Sequence, residues 1–313
     1  MKQLNILKSK LGKTKIFKKV NLFPYLTMRQ KVYAKYFFKV KKREDLQKVC
    51  SVCLKHNIPF LILGGGSNIA AKEDMYNGLV VKNEYKKIKV IKKGKTYINI
   101  LISSGYAASK LIEETIEKGY SGFEYHKGLP GTVGGALYMN AKWTHPIQYF
   151  GENLIYAYIV DKSGKTKKVE KKYFNFAYDY SILQKTKEVL LEAVFKLKIK
   201  SPNILRKKAQ KSLEYRKQTQ LFGIATSGCF FRNISEKDKK KHNLPTTSSG
   251  YLIDKAGLKG ISCGDFYVLL KHANFIVNKG NGNPDDLKKL ISIVKEKVRH
   301  KFNIKLEEEV VLI

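Results

Sequence analysis

The chain has 313 residues, 43% hydrophobic and 12% aromatic, which is enough length and apolar content for two or three packed modules and excludes a disordered or fibrous protein. Four cysteines are too few for a disulfide scaffold, so a reducing cytoplasm is the expected compartment, and no apolar run forms a membrane span or signal-peptide core. The formal charge of +35 raises nucleic acid as a partner, yet only 6 of the 61 basic residues are arginines and the lysines are spread over the whole chain, so no basic footprint and no nucleic-acid binding are expected.

From Glu44 to His56, the residues Leu46, Val49, Cys50 and Cys53 recur at helical spacing, which predicts a helix leading into a buried strand at 59–63. The Cys50–Cys53 spacing is that of a redox or zinc pair, but both residues fall on the apolar face and no second pair is near, which favours a core role. Directly after the strand come Gly64, Gly65, Gly66, Ser67 and Asn68. A backbone without Cβ atoms can turn its amides toward an anion, so this run is either a phosphate cradle or a plain turn. It is neither the dinucleotide fingerprint nor a P-loop, because position 69 is Ile and no Gly-Lys-Ser/Thr follows.

Residues 79–103 predict strands around a turn at Lys93 and Gly94, and a helix follows with Ala108, Leu111, Ile112 and Thr115 on one face. The next run, Gly128, Leu129, Pro130, Gly131, Thr132, Val133, Gly134 and Gly135, holds too much glycine for a simple reversal and is better explained by close backbone approach to a ligand. Two such loops could hold one extended diphosphate cofactor, a dinucleotide bound outside a Rossmann fold. Strands are predicted at 154–160 and 189–199, and a lysine-rich helix from Ser201 to Arg216 forms the junction to a last module. Near the end, Asn283 caps a helix that opens on Pro284, with Asp285 and Asp286 opposing its dipole and Leu287, Leu290, Ile291, Val294 and Val298 on its apolar face. The closing KLEEEVVLI predicts a final strand. No histidine has partners at metal-ligand spacing, so no metal site is expected.

Taken in order, GGGSN, GLPGTVGGA with Asn140, SGCFFRN, LIDKAGLKG, KHANFIVN and LEEEV make the chain resemble the UDP-N-acetylenolpyruvoylglucosamine reductases in their shorter form, over nearly everything from Asn21 onward. The resemblance implies an α+β fold: a split FAD-binding region of two α+β domains, of the non-Rossmann PCMH/VAO-like type, and a C-terminal α+β substrate domain. The implied boundaries are 1–83 with the strand 304–313, then 84–203, then 204–303. The implied chemistry is reduction of UDP-N-acetylglucosamine enolpyruvate to UDP-N-acetylmuramate for peptidoglycan synthesis, by a monomer with FAD as cofactor and NADPH as co-substrate.

In that family hydride is delivered to the enol carbon and a hydroxyl or thiol then protonates the carbanion-like centre. The proton donor maps to Cys229, whose thiol, ordinarily of pKa about 8.5, is competent at neutral pH. The catalytic glutamate maps to Glu309, and Lys217, Arg232 and Asn233 map to substrate contacts, where cations suit a diphosphate. His272 and Asn274 either contact ligand or complete the fold. Gly64 to Asn68, the loop from Gly128 to Gly135, and Asn140 would hold FAD.

Four positions in three places depart from the family pattern. Asp179 stands where a charge-stabilising arginine is expected, which implies either a compensating cation or a catalytically impaired relative that binds the UDP-sugar without efficient turnover. Gln30 and Lys31 replace a Gly-Gly pair, and Leu221 replaces a proline.

Overall fold

The structure, a computed structural model, describes residues 2–313. The chain divides into two compact units. The first comprises the residues up to Val20, Lys35–Gly65 and Asn77–Arg216; the second comprises Asn21–Ala34, Gly66–Tyr76 and Lys217–Ile313.

In the first unit the strand Phe60–Leu63 pairs in parallel with residues 79–82, with Leu63 opposite Lys82. The helix Arg43–Lys55 precedes it and buries the predicted Leu46, Val49, Cys50 and Cys53. Burial pushes both thiols up, Cys53 to about 12, so neither is a ready nucleophile, as the core reading requires. A second, antiparallel sheet runs in the order Thr166–Glu170, Leu154–Val160, Val189–Ile199, Tyr97–Ser103, Ile88–Lys93. Its central strand, Val189–Ile199, is buried over its first seven residues because sheet neighbours and helices cover both faces. The helix Ala108–Glu117 packs its apolar stripe onto this sheet around Phe123, Phe150 and Phe195, whose rings lie 4.8 to 6.0 Å apart.

The second unit is built on a four-stranded sheet in the order Thr226–Cys229, Phe275–Asn278, Phe266–Val268, Ser262–Cys263. The helix Pro284–Phe302 covers it with the predicted apolar face, and Asn283 caps the helix by accepting from the Asp286 amide at 2.8 Å. The predicted closing strand is shorter than its apolar pattern implies. Only Val311–Leu312 is extended, paired in parallel with Ile69–Ala70. Among the described residues no helix is long and apolar enough to cross a membrane, and no group of three or more potential metal ligands occurs.

Gln30, one of the departures from the family pattern, is fully buried in this second unit. Its side-chain amide accepts from the Ala71 N–H at 2.8 Å and donates to the Ala71 carbonyl at 2.9 Å, and so does for this segment what a strand partner would do. Lys31 beside it reaches Asn281 Oδ1 at 2.9 Å. A glutamine here thus replaces backbone freedom with a side-chain clasp. Gln30→Ala strands two buried backbone groups of Ala71 and is expected to cost about 2 to 4 kcal/mol. A urea denaturation midpoint unchanged from the parent protein would disprove the clasp.

Candidate active site

Two glycine-rich loops meet within the first unit. A Cβ on Gly65 would lie 2.5 Å from Gly131 Cα, so the two runs touch there through bare backbone, and one on Gly64 would lie 2.5 Å from the Thr132 side-chain oxygen. Gly131 has φ +91° and Gly134 presses against the Ser104 carbonyl, where a Cβ would stand 2.9 Å away. A side chain at any of these positions would wedge the loops apart. Gly65, Pro130 and Gly135 are exposed, which leaves backbone open to a ligand. Thr132 caps the short helix Val133–Met139 by accepting from Gly135 N–H at 3.4 Å. Asn140 ends that helix in the left-handed conformation, and its side chain binds the Ala177 carbonyl at 3.0 Å and the Gly151 amide at 3.3 Å.

Asn140 thereby fixes the turn that carries Asp179. Asp179 is buried and has φ +48°, a region in which Asp and Asn are several-fold enriched among non-glycine residues. Its carbonyl accepts from Gln184 Nε2 at 2.8 Å, and its charge helps to raise the Tyr149 hydroxyl pKa, after the larger effect of burial. The Lys142 ammonium lies over both nearby rings, 5.0 Å from Tyr178 and 5.9 Å from Tyr149. This site therefore pairs its inverted charge with a turn geometry that suits aspartate.

Beneath the second glycine loop lie two groups with no particular motif in the sequence. Arg216 is buried, its guanidinium 4.6 Å over the Trp143 ring, and burial lowers its pKa to about 10. A Cβ on Gly128, at φ +85°, would meet the Arg216 side chain at 3.1 Å. His126 is fully buried with neither ring nitrogen hydrogen-bonded among the described residues, and burial, aided by Arg216, drops its pKa to about 3. The folded state keeps this ring neutral while the unfolded chain takes up a proton near pH 6.5, so its stabilising effect is present above that pH and is lost as pH falls. Between pH 6.5 and 5 the loss is about 2 kcal/mol. His126→Phe should flatten that part of the stability profile measured by urea denaturation, and an unchanged slope would refute the assignment.

The second unit brings three distant motifs together. Cys229 ends the strand Thr226–Cys229, where the register against Phe275–Asn278 slips and Gly228 takes φ +82°. Such a bulge re-aims the next side chain, here a half-buried thiol among Leu269, Phe275 and Val277. Ser227 Oγ donates to the Ile69 carbonyl at 2.9 Å, tying this strand to the end of the GGGSN run. The closing segment lies alongside: the Glu309 N–H donates to Phe230 O at 2.9 Å, the Arg232 N–H donates to Glu307 O at 2.9 Å, and Asn68 Nδ2 donates to Glu309 O at 3.2 Å. Cys229 and Glu309, eighty residues apart, are thus neighbours in the fold. Of the acidic triplet, Glu308 is paired with Lys295 at 2.9 Å and Glu307 is exposed, while Glu309 is half-buried.

The remaining expected substrate contacts divide by partner. Arg232 is half-buried and adjoins Asn233, whose Oδ1 accepts from Ser249 N–H at 3.1 Å. Lys217 is exposed near the end of the helix Pro202–Thr219. Asn274 commits its amide to the Phe231 backbone, accepting at 2.9 Å and donating at 2.7 Å, which is a fold-completing arrangement. His272 packs 4.5 Å from the Phe275 ring, and burial lowers its pKa. Sequence reasoning missed Lys82, a half-buried lysine directly after the buried run Leu79–Val81, whose ammonium donates to the Gly64 carbonyl. The available signal was a lysine directly after an apolar run; its place beside Gly64 comes from the strand pairing.

These geometries agree with what the chain is similar to. A profile described as FAD binding domain matches residues 34–170, and one described as UDP-N-acetylenolpyruvoylglucosamine reductase, C-terminal domain, matches residues 218–313. A VAO-type flavoprotein from Myceliophthora thermophila shares the fold over 96% of this chain and 78% of its own, at a TM-score of 0.52 and 10% identity. The protein is an FAD-dependent oxidoreductase with a split, non-Rossmann FAD-binding region of α+β type. UDP-N-acetylenolpyruvoylglucosamine reductase of Protochlamydia amoebophila is 34% identical over 88% of this chain and 87% of its own length. That of Bacillus subtilis is 32% identical over 86% and 84%. The crystal structure of UDP-N-acetylenolpyruvylglucosamine reductase from Thermus caldophilus covers 94% of this chain and 98% of its own, at 25% identity and a TM-score of 0.76. The chain belongs to the UDP-N-acetylenolpyruvoylglucosamine reductase family.

Proposed function

We propose that this protein reduces UDP-N-acetylglucosamine enolpyruvate to UDP-N-acetylmuramate in peptidoglycan precursor synthesis, with NADPH as the reductant. The observation that carries the reading is the backbone clasp between residues 230–232 and 307–310, which brings the segment of Glu309 onto the residue that follows the half-buried Cys229.

The bare-backbone contact of Gly65 with Gly131 suits a diphosphate cofactor, since only glycine lets the chain approach so closely. Gly64 to Asn68, Gly128 to Gly135 and Asn140 hold FAD in this reading. When bound, FAD supplies the hydride. Cys229 then gives its proton to the carbon that becomes the lactyl centre, with Glu309 as the second catalytic group. Lys217, Arg232 and Asn233 hold the UDP diphosphate by charge-assisted hydrogen bonds, and His272 is a further substrate contact in this reading. Asp179 takes no part as a cation; its role is to set the turn that Asn140 fixes. The same reading has the protein act as a monomer in the cytoplasm.

The buried Asp179 favours one other reading, a flavoprotein that binds the UDP-sugar without efficient turnover. Anaerobic stopped-flow on FAD-loaded protein separates the two. Flavin absorbance that falls with NADPH and returns on adding the enolpyruvyl UDP-sugar identifies the reductase. Reduction with no sugar-dependent return identifies the impaired relative.

A further inference from the structure

Lys82 faces Leu63 across the parallel strand pair, one residue before the first glycine of the loop, and its ammonium donates to the Gly64 carbonyl. The Gly64–Gly65 peptide is trans, so its carbonyl and the Gly65 N–H point to opposite sides of the same plane. With the carbonyl held toward Lys82, the Gly65 N–H is turned outward on an exposed residue, and no acceptor for it occurs among the described residues. The third restraint is steric, since the side of Gly65 that would bear a Cβ is filled by Gly131. A peptide restrained on two sides and open on the third presents one amide, with a positive charge behind it, to an anion.

We propose that Lys82 is a positioning residue of the cofactor loop, which fixes the Gly64–Gly65 peptide so that its amide faces the FAD diphosphate and backs it with a cation. This rests on the reading of the glycine loops as the FAD site. A charge-assisted hydrogen bond of this kind is worth about tenfold to a hundredfold in affinity. The interaction is partly shielded from solvent, so its contribution falls less with salt than that of surface lysines.

The test is FAD affinity of the apo-protein, followed by quenching of flavin fluorescence, together with the melting temperature of the same apo-protein. Lys82→Met should raise the FAD Kd by at least about tenfold with the apo melting temperature within about 2 °C of the parent, and Lys82→Arg should recover most of the affinity. FAD binding at parental affinity by Lys82→Met overturns the proposal. So does an equal loss of FAD in both variants accompanied by a fall in apo melting temperature, because that is the pattern of a purely structural residue. Gly65→Ala distinguishes the underlying reading: if it binds FAD like the parent, the loop is not the cofactor site at all. If it loses FAD while Lys82→Met does not, the loop stands and only the role of Lys82 fails.

Discussion

Cys229→Ala is expected to leave reduction of the bound flavin by NADPH at the parental rate and to slow the sugar-dependent reoxidation by about a hundredfold to ten-thousandfold, the usual worth of a positioned general acid. The reasoning starts from the chain. Thr226, Ser227 and Gly228 are small, and the register slip at Gly228 lets the strand turn Cys229 out of the regular alternation. Thr226 Oγ1 on the Ile276 carbonyl at 2.8 Å and Ser227 Oγ on the Ile69 carbonyl at 2.9 Å hold the residues just before it. The thiol therefore stands on a restrained backbone, and alanine removes the proton donor without disturbing its supports. Cys229→Ser keeps a donor in place and should recover most of the rate. Stopped-flow traces in which the alanine variant reoxidises as fast as the parent would sink the assignment.

Glu309→Ala should lower kcat by on the order of a hundredfold or more, whereas Glu308→Ala should change it by less than about twofold. The contrast follows from where adjacent carboxylates point. Glu308 ends on Lys295, 2.9 Å away, in a partly exposed ion pair of the kind worth at most about 1 kcal/mol. Glu309 has its amide on Phe230 O and its carbonyl under Asn68 Nδ2, so its side chain leaves a main chain anchored at both ends beside the Cys229 strand. Steady-state NADPH oxidation in the presence of the enolpyruvyl UDP-sugar measures both variants. A larger loss in Glu308→Ala than in Glu309→Ala would show that the wrong carboxylate has been assigned.

The departures from the family pattern carry a related lesson. An aspartate in place of arginine at 179 looks damaging when read as charge alone. The backbone there is left-handed and the turn is tied by Asn140 and Gln184, so the position has a conformational demand that charge comparison does not show. Likewise Gln30 and Lys31 look like the loss of two flexible glycines, yet Gln30 supplies both hydrogen bonds of a strand partner to Ala71. In each case the substitution is intelligible only once its neighbours are known.

Much of the architecture was written locally. Leu46, Val49, Cys50 and Cys53 at helical spacing, the largely apolar stretch at 189–199, and the Asn283–Pro284 start of the last helix each specify an element through composition, periodicity or a cap, which are properties of consecutive residues. The glycine runs announced close backbone approach for the same reason, since the absence of a side chain is visible in one dimension. The sequence could not place Lys82 at Gly64, Arg216 under Gly128, or Asn68 and Glu309 on either side of one hydrogen bond. Those contacts join residues 18 to 241 positions apart. Their existence depends on strand pairing and register, and these are settled by which apolar faces bury together when the whole chain collapses, so only the tertiary structure decided these contacts.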